Sequence, residues 1–296
     1  MKAKIKNKIR VAYQGEPGAY SEEAAYKYFG DNIETIGYEK LDDVFRAVEK
    51  GDVNYGVIPV ENSIEGTVRK GYELFLEYDV KPIAEVILRI KHCLISFPKE
   101  TIKSIKVVYS HPQALGQCSK FLEKQGYKLI PFYNTAGAVK MIKEKRLKHA
   151  AAIASERAGK IYGMKILKKG IENNFQNFTR FLIIEKITQI NADNKNKNET
   201  RIRRINCKYK TSLIFTLKHV PGSLFRALKV FAERNINLTK IESIPIPGKP
   251  WEYNFVLEFE GHIEDKRVKS ALERLKKHTI FLKIIGSYPK QTSVII

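Results

Sequence analysis

The chain has 296 residues, enough for two or three compact units, and its 43% apolar and 29% charged residues are typical of a soluble globular protein. No apolar stretch approaches the roughly 18 residues that a membrane-spanning helix needs, so we expect no membrane association. The net charge of +21 is spread along the chain without a zinc-finger or RNA-binding motif. We therefore expect no nucleic-acid partner, and a basic surface that attracts anionic metabolites.

Strand-like and helix-like segments alternate over residues 8–187, which we assign to one catalytic region. This βαβα order predicts two α/β lobes, each with a mostly parallel sheet covered by helices. A long extended stretch after Val80 joins the lobes and leaves a cleft between them, as in periplasmic binding proteins. The predicted strands are 8–14, 33–37, 53–60, 105–109, 127–132, 149–154 and 178–185, and the predicted helices are 20–29, 41–50, 112–125 and 135–145.

Residues 188–209 are polar and are predicted to be an exposed linker. Residues 210–290 follow a different pattern, which we assign to a second domain. Its predicted order is βαββαβ, typical of a ferredoxin-like fold. The strands are 211–218, 236–246, 251–260 and 281–287, and the helices are 221–234 and 264–276.

The three cysteines, Cys93, Cys118 and Cys207, show no metal-ligand spacing. Their odd number favours free thiols in a reducing compartment. The first ten residues lack the apolar core of a secretory signal. We therefore expect a cytoplasmic protein without a bound metal.

Four loops, at residues 15–21, 61–67, 110–114 and 134–137, fall between a strand and a helix and carry small polar groups. Helix N-termini bind anions through their free N–H groups and the helix dipole. Each loop taken alone is better explained by helix capping than by ligand binding. Together, at equivalent strand ends, they predict a site for a ligand with carboxylates.

Six segments in the first region resemble, in order, the motifs of prephenate dehydratases: VAYQGEPGAYSEEAA, GVIPVENSIEGTV, SHPQALGQC, NTAGAV, AAIASERAGKIYG and NFTRFLII. Further segments resemble a regulatory ACT domain: VPGSLFRAL, INLTKIES, WEYNF and GSYP. The resemblance implies a monofunctional lyase that converts prephenate to phenylpyruvate in phenylalanine biosynthesis, without a cofactor. An arogenate dehydratase and a catalytically inactive amino-acid sensor are the alternatives, and a solute-binding protein is opposed by the ACT-like segments.

The resemblance also implies site residues. Thr179 of the TRF motif is expected to donate a hydrogen bond to the departing C4 oxygen, and His111 and Glu61 are the other catalytic candidates. His111 is equally well explained as a helix cap. Arg180 is expected to bind a substrate carboxylate, although strand alternation puts it on the opposite face from Thr179. The remaining expected substrate contacts are Ser21, Asn62, Ser63, Ser110, Gln113, Thr135 and Phe181.

In the ACT-like region the resemblance implies a phenylalanine site between paired domains, and hence a homodimer or homotetramer. Ile244 stands where the family has arginine, so we expect weaker inhibition. The expected effector contacts are Gly222, Ser223, Leu224, Phe225, Asn237, Leu238, Glu242 and Ser243.

Overall fold

A computed structural model of the chain describes residues 8–187 and 208–291. Cys207 and most of the predicted linker, residues 188–207, lie outside the described residues. Within the described ranges no helix combines the length and apolar character needed to cross a membrane.

The first lobe is built on a six-stranded sheet with the order β2-β1-β3-β11-β5, in which β4 pairs with β3. Its elements are β1 (Ile9–Gln14), α1 (Tyr20–Phe29), β2 (Ile33–Tyr38), α2 (Leu41–Lys50), β3 (Tyr55–Asn62), β4 (Gly66–Thr67), α3 (Arg69–Glu77), β5 (Val80–Arg89) and the returning strand β11 (Phe178–Lys186). Helix α2 forms as predicted, because its apolar residues fall on one face and are buried, and Gly51 ends it in the left-handed conformation.

The second lobe has a five-stranded sheet with the order β10-β6-β9-β7-β8. Its elements are β6 (Cys93–Ser96), β7 (Val107–Ser110), α4 (Pro112–Gln117), α5 (Ser119–Gln125), β8 (Lys128–Pro131), α6 (Thr135–Lys145), β9 (Ala150–Ala154), α7 (Glu156–Ile161) and β10 (Lys165–Lys169). The helix predicted over 112–125 is interrupted at Cys118, and the sequence did not predict α3, α7 or β10.

Both sheets are mixed, so the prediction of mostly parallel sheets is wrong. Strand β1 runs parallel to β2 and β3, whereas β11 runs antiparallel to β3 and β5. The chain leaves the first lobe after β5 and returns to it as β11, so these two neighbouring strands have opposite directions. The predicted two-lobed α/β class is confirmed.

The C-terminal unit is a four-stranded antiparallel sheet with the order β13-β14-β12-β15. Its elements are β12 (Tyr209–Leu217), α8 (Ser223–Ala232), β13 (Leu238–Pro245), β14 (Tyr253–Glu260), α9 (Lys266–Lys276) and β15 (Thr279–Pro289). The predicted βαββαβ order is confirmed. Both helices cover one face of the sheet, and the other face packs against the first lobe, where Ile214, Val256 and Tyr288 share a core with Ile58 and Tyr72.

Candidate active site

A cleft of about 290 Å³ lies between the two lobes. All four loops singled out in the sequence contribute to it, as their position at strand ends predicted. The residues that line it are Gln14, Gly15, Ala19, Tyr20, Ser21, Glu39, Pro59, Asn62, Ile90, His92, His111, Gln113, Ala114, Gln117, Tyr133, Asn134, Thr135, Thr179 and Phe181.

Thr179 lies on β11 directly opposite Asn62 at the end of β3. The side-chain amide of Asn62 donates to Thr179 Oγ1 at 3.0 Å. The Asn62 amide is itself held, because its oxygen accepts the backbone N–H groups of Ile64 and Glu65 at 2.9 and 3.0 Å. Since the Thr179 oxygen accepts from Asn62, its own proton is available to a group in the cleft.

A chain of side-chain hydrogen bonds supports Asn62 from behind. Its amide also donates to Asn177 Oδ1 at 2.8 Å, and Asn177 donates to Gln117 Oε1 at 2.9 Å. Gln117 Oε1 lies 3.0 Å from His92 Nε2, and His92 Nδ1 lies 3.0 Å from the Tyr20 hydroxyl. Because Gln117 Oε1 can only accept, His92 carries its proton on Nε2. Sequence reasoning missed these four residues, although Tyr20, Gln117 and Asn177 stand in the motifs.

His111 lines the cleft and also caps α4, so the capping explanation holds as well. Its Nδ1 accepts the backbone N–H of Gln113 at 3.3 Å. Partial burial lowers the pKa of His111 below its usual value, which favours the neutral ring at pH 7. In that form Nε2 carries the proton and can donate a hydrogen bond.

The other predicted substrate contacts divide into two groups. Ser21, Gln113, Thr135 and Phe181 line the cleft together with Asn62. Ser110 and Ser63 do not line it. The Ser110 hydroxyl donates to the backbone oxygen of Ile153 at 2.7 Å, and that of Ser63 donates to the backbone oxygen of Gln176 at 2.9 Å. Ser110 therefore joins β7 to β9, and Ser63 joins two loops, instead of facing the cleft.

Arg180, expected to bind a substrate carboxylate, and Glu61, expected to act in catalysis, likewise do not line the cleft. Along β11 the odd-numbered residues Phe181 and Ile183 pack towards α1, whereas Leu182 and Ile184 pack towards α2 and α3. Arg180 lies on the same side of the sheet as Leu182 and Ile184. Its guanidinium lies 2.9 Å from Glu61, 3.3 Å from Glu85 and 2.9 Å from Glu258.

Glu61 is held as a carboxylate. Burial alone would raise its pKa, but Arg180 and Lys240 outweigh burial and the pKa is lowered. Lys240 Nζ lies 3.0 Å from the Glu61 carboxylate. As a carboxylate, Glu61 has no proton to donate, and it does not line the cleft.

These residues form a charge cluster, which consists of Glu61, Glu85, Glu258, Arg180, Lys210 and Lys240. All of its side chains are largely buried except that of Glu61, which is 38% exposed. Its carboxylates and cations are equal in number, so its formal charge is zero. Glu61, Glu85 and Arg180 belong to the first lobe, and the other members belong to the C-terminal sheet. The cluster therefore ties β3 and β11, the strands that carry Asn62 and Thr179, to the C-terminal unit.

Comparison with known proteins agrees with this architecture. Residues 11–189 match the prephenate dehydratase family, and residues 211–277 match the ACT domain. The chain belongs to the prephenate dehydratase family. It is 40% identical over 98% of its length to arogenate dehydratase/prephenate dehydratase 2 of Arabidopsis thaliana, covering 75% of that protein. It is also 40% identical to the bifunctional chorismate mutase/prephenate dehydratase of Aquifex aeolicus, with 97% of this chain and 75% of that protein covered.

The fold is shared with a prephenate dehydratase from Arthrobacter aurescens solved in complex with L-Phe. That structure superposes with a TM-score of 0.82 at 24% identity, covering 97% of this chain and 93% of the other. The activity that defines the family is that of a carbon–oxygen lyase, so the cleft described above is the candidate active site of a prephenate dehydratase.

The ACT domain carries a second pocket of about 640 Å³. Of the predicted effector contacts, Ser223 and Leu224 line it, beside apolar residues such as Trp251 and Ile280. Gly222 precedes α8 with a φ of 76°, a conformation that favours glycine. Phe225 is 69% exposed.

The predicted contacts on and before β13, which are Asn237, Leu238, Glu242 and Ser243, do not line this pocket. Glu242 instead faces the first lobe, where it accepts from Thr67 Oγ1 at 3.2 Å and lies 3.7 Å from Arg69. Ile244 is buried in the core shared by the ACT domain and the first lobe. An apolar residue therefore fits this position, where the family resemblance implied an arginine.

Proposed function

We propose that the protein converts prephenate to phenylpyruvate, carbon dioxide and water in phenylalanine biosynthesis. The observation that carries the proposal is the Thr179 hydroxyl, which lines the cleft and is oriented by Asn62 so that its proton is available to a ligand. Membership of the family indicates the reaction, and the Thr179 hydroxyl is suited to donate a hydrogen bond to the C4 oxygen that leaves.

The reaction breaks two bonds, each of which joins a substituent to the ring. The bond from C1 to the ring carboxylate breaks and its electron pair enters the ring, while the C4–oxygen bond breaks and the oxygen leaves with its electrons. Aromatisation drives the step, and protonation of the departing hydroxide yields water. A threonine hydroxyl has a high pKa, so Thr179 acts as a hydrogen-bond donor that stabilises developing negative charge.

The surrounding groups suit a carboxylate-bearing substrate. Gln113 and Thr135 lie at the N-terminal turns of α4 and α6, where backbone N–H groups and the helix dipole favour anions. His111 contributes a neutral N–H donor. Ile90 and Phe181 provide apolar contacts for the ring. The mechanism proposed here therefore rests on preformed neutral donors in a partly enclosed cleft.

The test is incubation of the purified full chain with prephenate in excess chelator, with phenylpyruvate followed by its absorbance. We expect product formation, with phenylalanine formed when arogenate replaces prephenate if that substrate is also accepted. Folded protein that yields no phenylpyruvate would contradict the proposal. Phenylalanine from arogenate with no turnover of prephenate would favour arogenate dehydratase instead.

We further propose that phenylalanine binds in the ACT pocket at a contact between two copies of the chain and lowers activity. The proposed assembly is a homodimer or homotetramer. The pocket combines an apolar wall with the start of α8, which suits an aromatic amino acid with a carboxylate. A coupling of about 1–3 kcal/mol would change the affinity for prephenate roughly 5- to 150-fold.

The charge cluster is the proposed route of this coupling. Arg180 directly follows Thr179 along β11, and Glu61 directly precedes Asn62 along β3. A shift of the ACT sheet would move Glu258 and Lys240, which hold these two neighbours. Deletion of the ACT domain is a poor test, because it would remove Glu258 and leave Arg180 without one of its counterions.

A sharper test titrates phenylalanine into the wild type and Leu224→Ala in a calorimeter and repeats the rate assay. Heat together with inhibition, both weakened in the variant, would support the proposal. Unchanged rates at millimolar phenylalanine would contradict it.

For the location of the protein we propose the cytoplasm. Cys93 and Cys118 are buried free thiols, and burial raises the pKa of Cys93 to about 11. Such unreactive thiols suit a reducing compartment.

A further inference from the structure

The cleft has an unusual charge distribution for a site that accepts an anion. Among its lining residues Glu39 alone carries a formal charge at neutral pH. His92 and His111 are neutral, because burial lowers the pKa of both rings. The described part of the chain therefore offers this cleft one carboxylate and no lysine or arginine.

Glu39 stands where the cleft continues outwards into an annex of about 480 Å³. Glu16 also lines the annex, but Lys140 lies 3.0 Å from the Glu16 carboxylate and offsets its charge. No lysine or arginine of the described residues lies within ion-pair distance of Glu39. The Glu39 carboxylate is exposed and available to a ligand.

The backbone holds Glu39 at the end of the cleft that is remote from Thr179. Glu39 follows β2, which is separated from β11 by β1 and β3, so at about 4.8 Å per strand the two lie about 14 Å apart. Gln14 Nε2 donates to the Glu39 backbone oxygen at 3.3 Å, and Gly15 N donates to the Tyr38 oxygen at 2.8 Å. The position of Glu39 is thus coupled to the loop that begins the cleft.

The positions of two groups on the substrate connect the Thr179 end of the cleft with the Glu39 end. Its C4 hydroxyl and its C1 side chain lie on opposite sides of the ring. With the hydroxyl at Thr179, the side chain points towards the loops after β1 and β2. That side chain ends in a ketone and a carboxylate in prephenate, and in an ammonium group and a carboxylate in arogenate. A carboxylate at this end attracts the ammonium group and has no matching interaction with a ketone.

We propose that Glu39 determines substrate specificity by pairing with the α-ammonium group of an arogenate-type amino acid. The proposal rests on the proposed function, since it assumes that Thr179 receives the C4 hydroxyl. It predicts that Glu39 raises the efficiency with arogenate relative to prephenate. Because Glu39 is exposed, the effect is that of a solvent-screened pair, about two- to fivefold.

The experiment measures kcat/KM of the full chain for both substrates, with phenylalanine and phenylpyruvate as the products followed. In Glu39→Gln the arogenate-to-prephenate ratio should fall about two- to fivefold, and in Glu39→Lys it should fall further, because attraction becomes repulsion. Glu123→Gln is the matched control, since Glu123 is an exposed glutamate that does not line the cleft, and its ratio should stay unchanged.

Salt provides a second measurement. At about 1 M ionic strength the screening length is about 3 Å, so the wild-type ratio should approach that of Glu39→Gln. If the wild type turns over prephenate and all three variants have its arogenate-to-prephenate ratio, the role of Glu39 is overturned. The proposed function would then still stand. A wild type that turns over neither substrate would overturn both.

Discussion

Glu258→Gln removes one carboxylate from the charge cluster while keeping the shape of the side chain. In the wild type one oxygen of Glu258 lies 2.9 Å from Arg180, and the other accepts from Tyr72 and Ser212 at 2.8 and 3.1 Å. A glutamine that keeps its oxygen towards Tyr72 and Ser212 must turn its NH₂ group towards the guanidinium. The cluster then carries an uncompensated positive charge in a buried site.

Breaking a buried ion pair on one side costs about 3–5 kcal/mol. Arg180 retains Glu61 and Glu85, so we expect the lower end, about 3 kcal/mol. At about 2–4 °C per kcal/mol the melting temperature should fall by about 6–12 °C. Arg180→Met combined with Glu258→Gln restores charge balance, so the double variant should lose less stability than the two single losses added together.

Thermal unfolding of the four proteins, followed by circular dichroism, tests this reasoning. Glu260→Gln is the control, because Glu260 lies on the same strand and pairs at 2.7 Å with Lys290, in a partly exposed position where little stability is expected. Either of two results would show that the cluster does not stabilise the fold in this way. One is a melting temperature of Glu258→Gln within about 2 °C of the wild type, and the other is a loss of stability in the double variant equal to the sum of the two single losses.

Other predictions concern catalysis and pH. Thr179→Val should lower kcat about 100-fold or more, with Thr179→Ser retaining more activity, and equal rates for valine and wild type would show that the hydroxyl only packs. Burial would raise the pKa of Glu258, but Arg180, Tyr72 and Lys210 lower it below the ordinary value of 4.5. The stability from Glu258 is therefore present above that pH and lost as the pH falls through the lowered pKa. As the pH falls from about 5 to about 3, the wild type should lose melting temperature more steeply than Glu258→Gln, and parallel curves over that range would contradict this.

The local elements were largely predictable from sequence, because they depend on periodicity within a few residues. The apolar spacing of α2 and the start of α6 after Asn134 were both predicted where they occur. Helix α3 was missed, since it is short and contains Gly71, and the break at Cys118 left no periodic signal. Strand alternation also separated Thr179 from Arg180 correctly.

The motifs, by themselves, determined the family, the two-lobed α/β class and the loops that meet in the cleft, because these follow from residue order and from the rule that parallel strands end at one edge. Tertiary structure alone decided what each polar side chain contacts. The sequence allows Arg180 to bind a substrate carboxylate, but in the structure Glu85 and Glu258 lie beside it, on strands distant in sequence. The same holds for His92 and for Glu39. A charge or a hydrogen bond acts over a few ångströms, and only the packing of the two lobes and the ACT sheet sets which groups come that close.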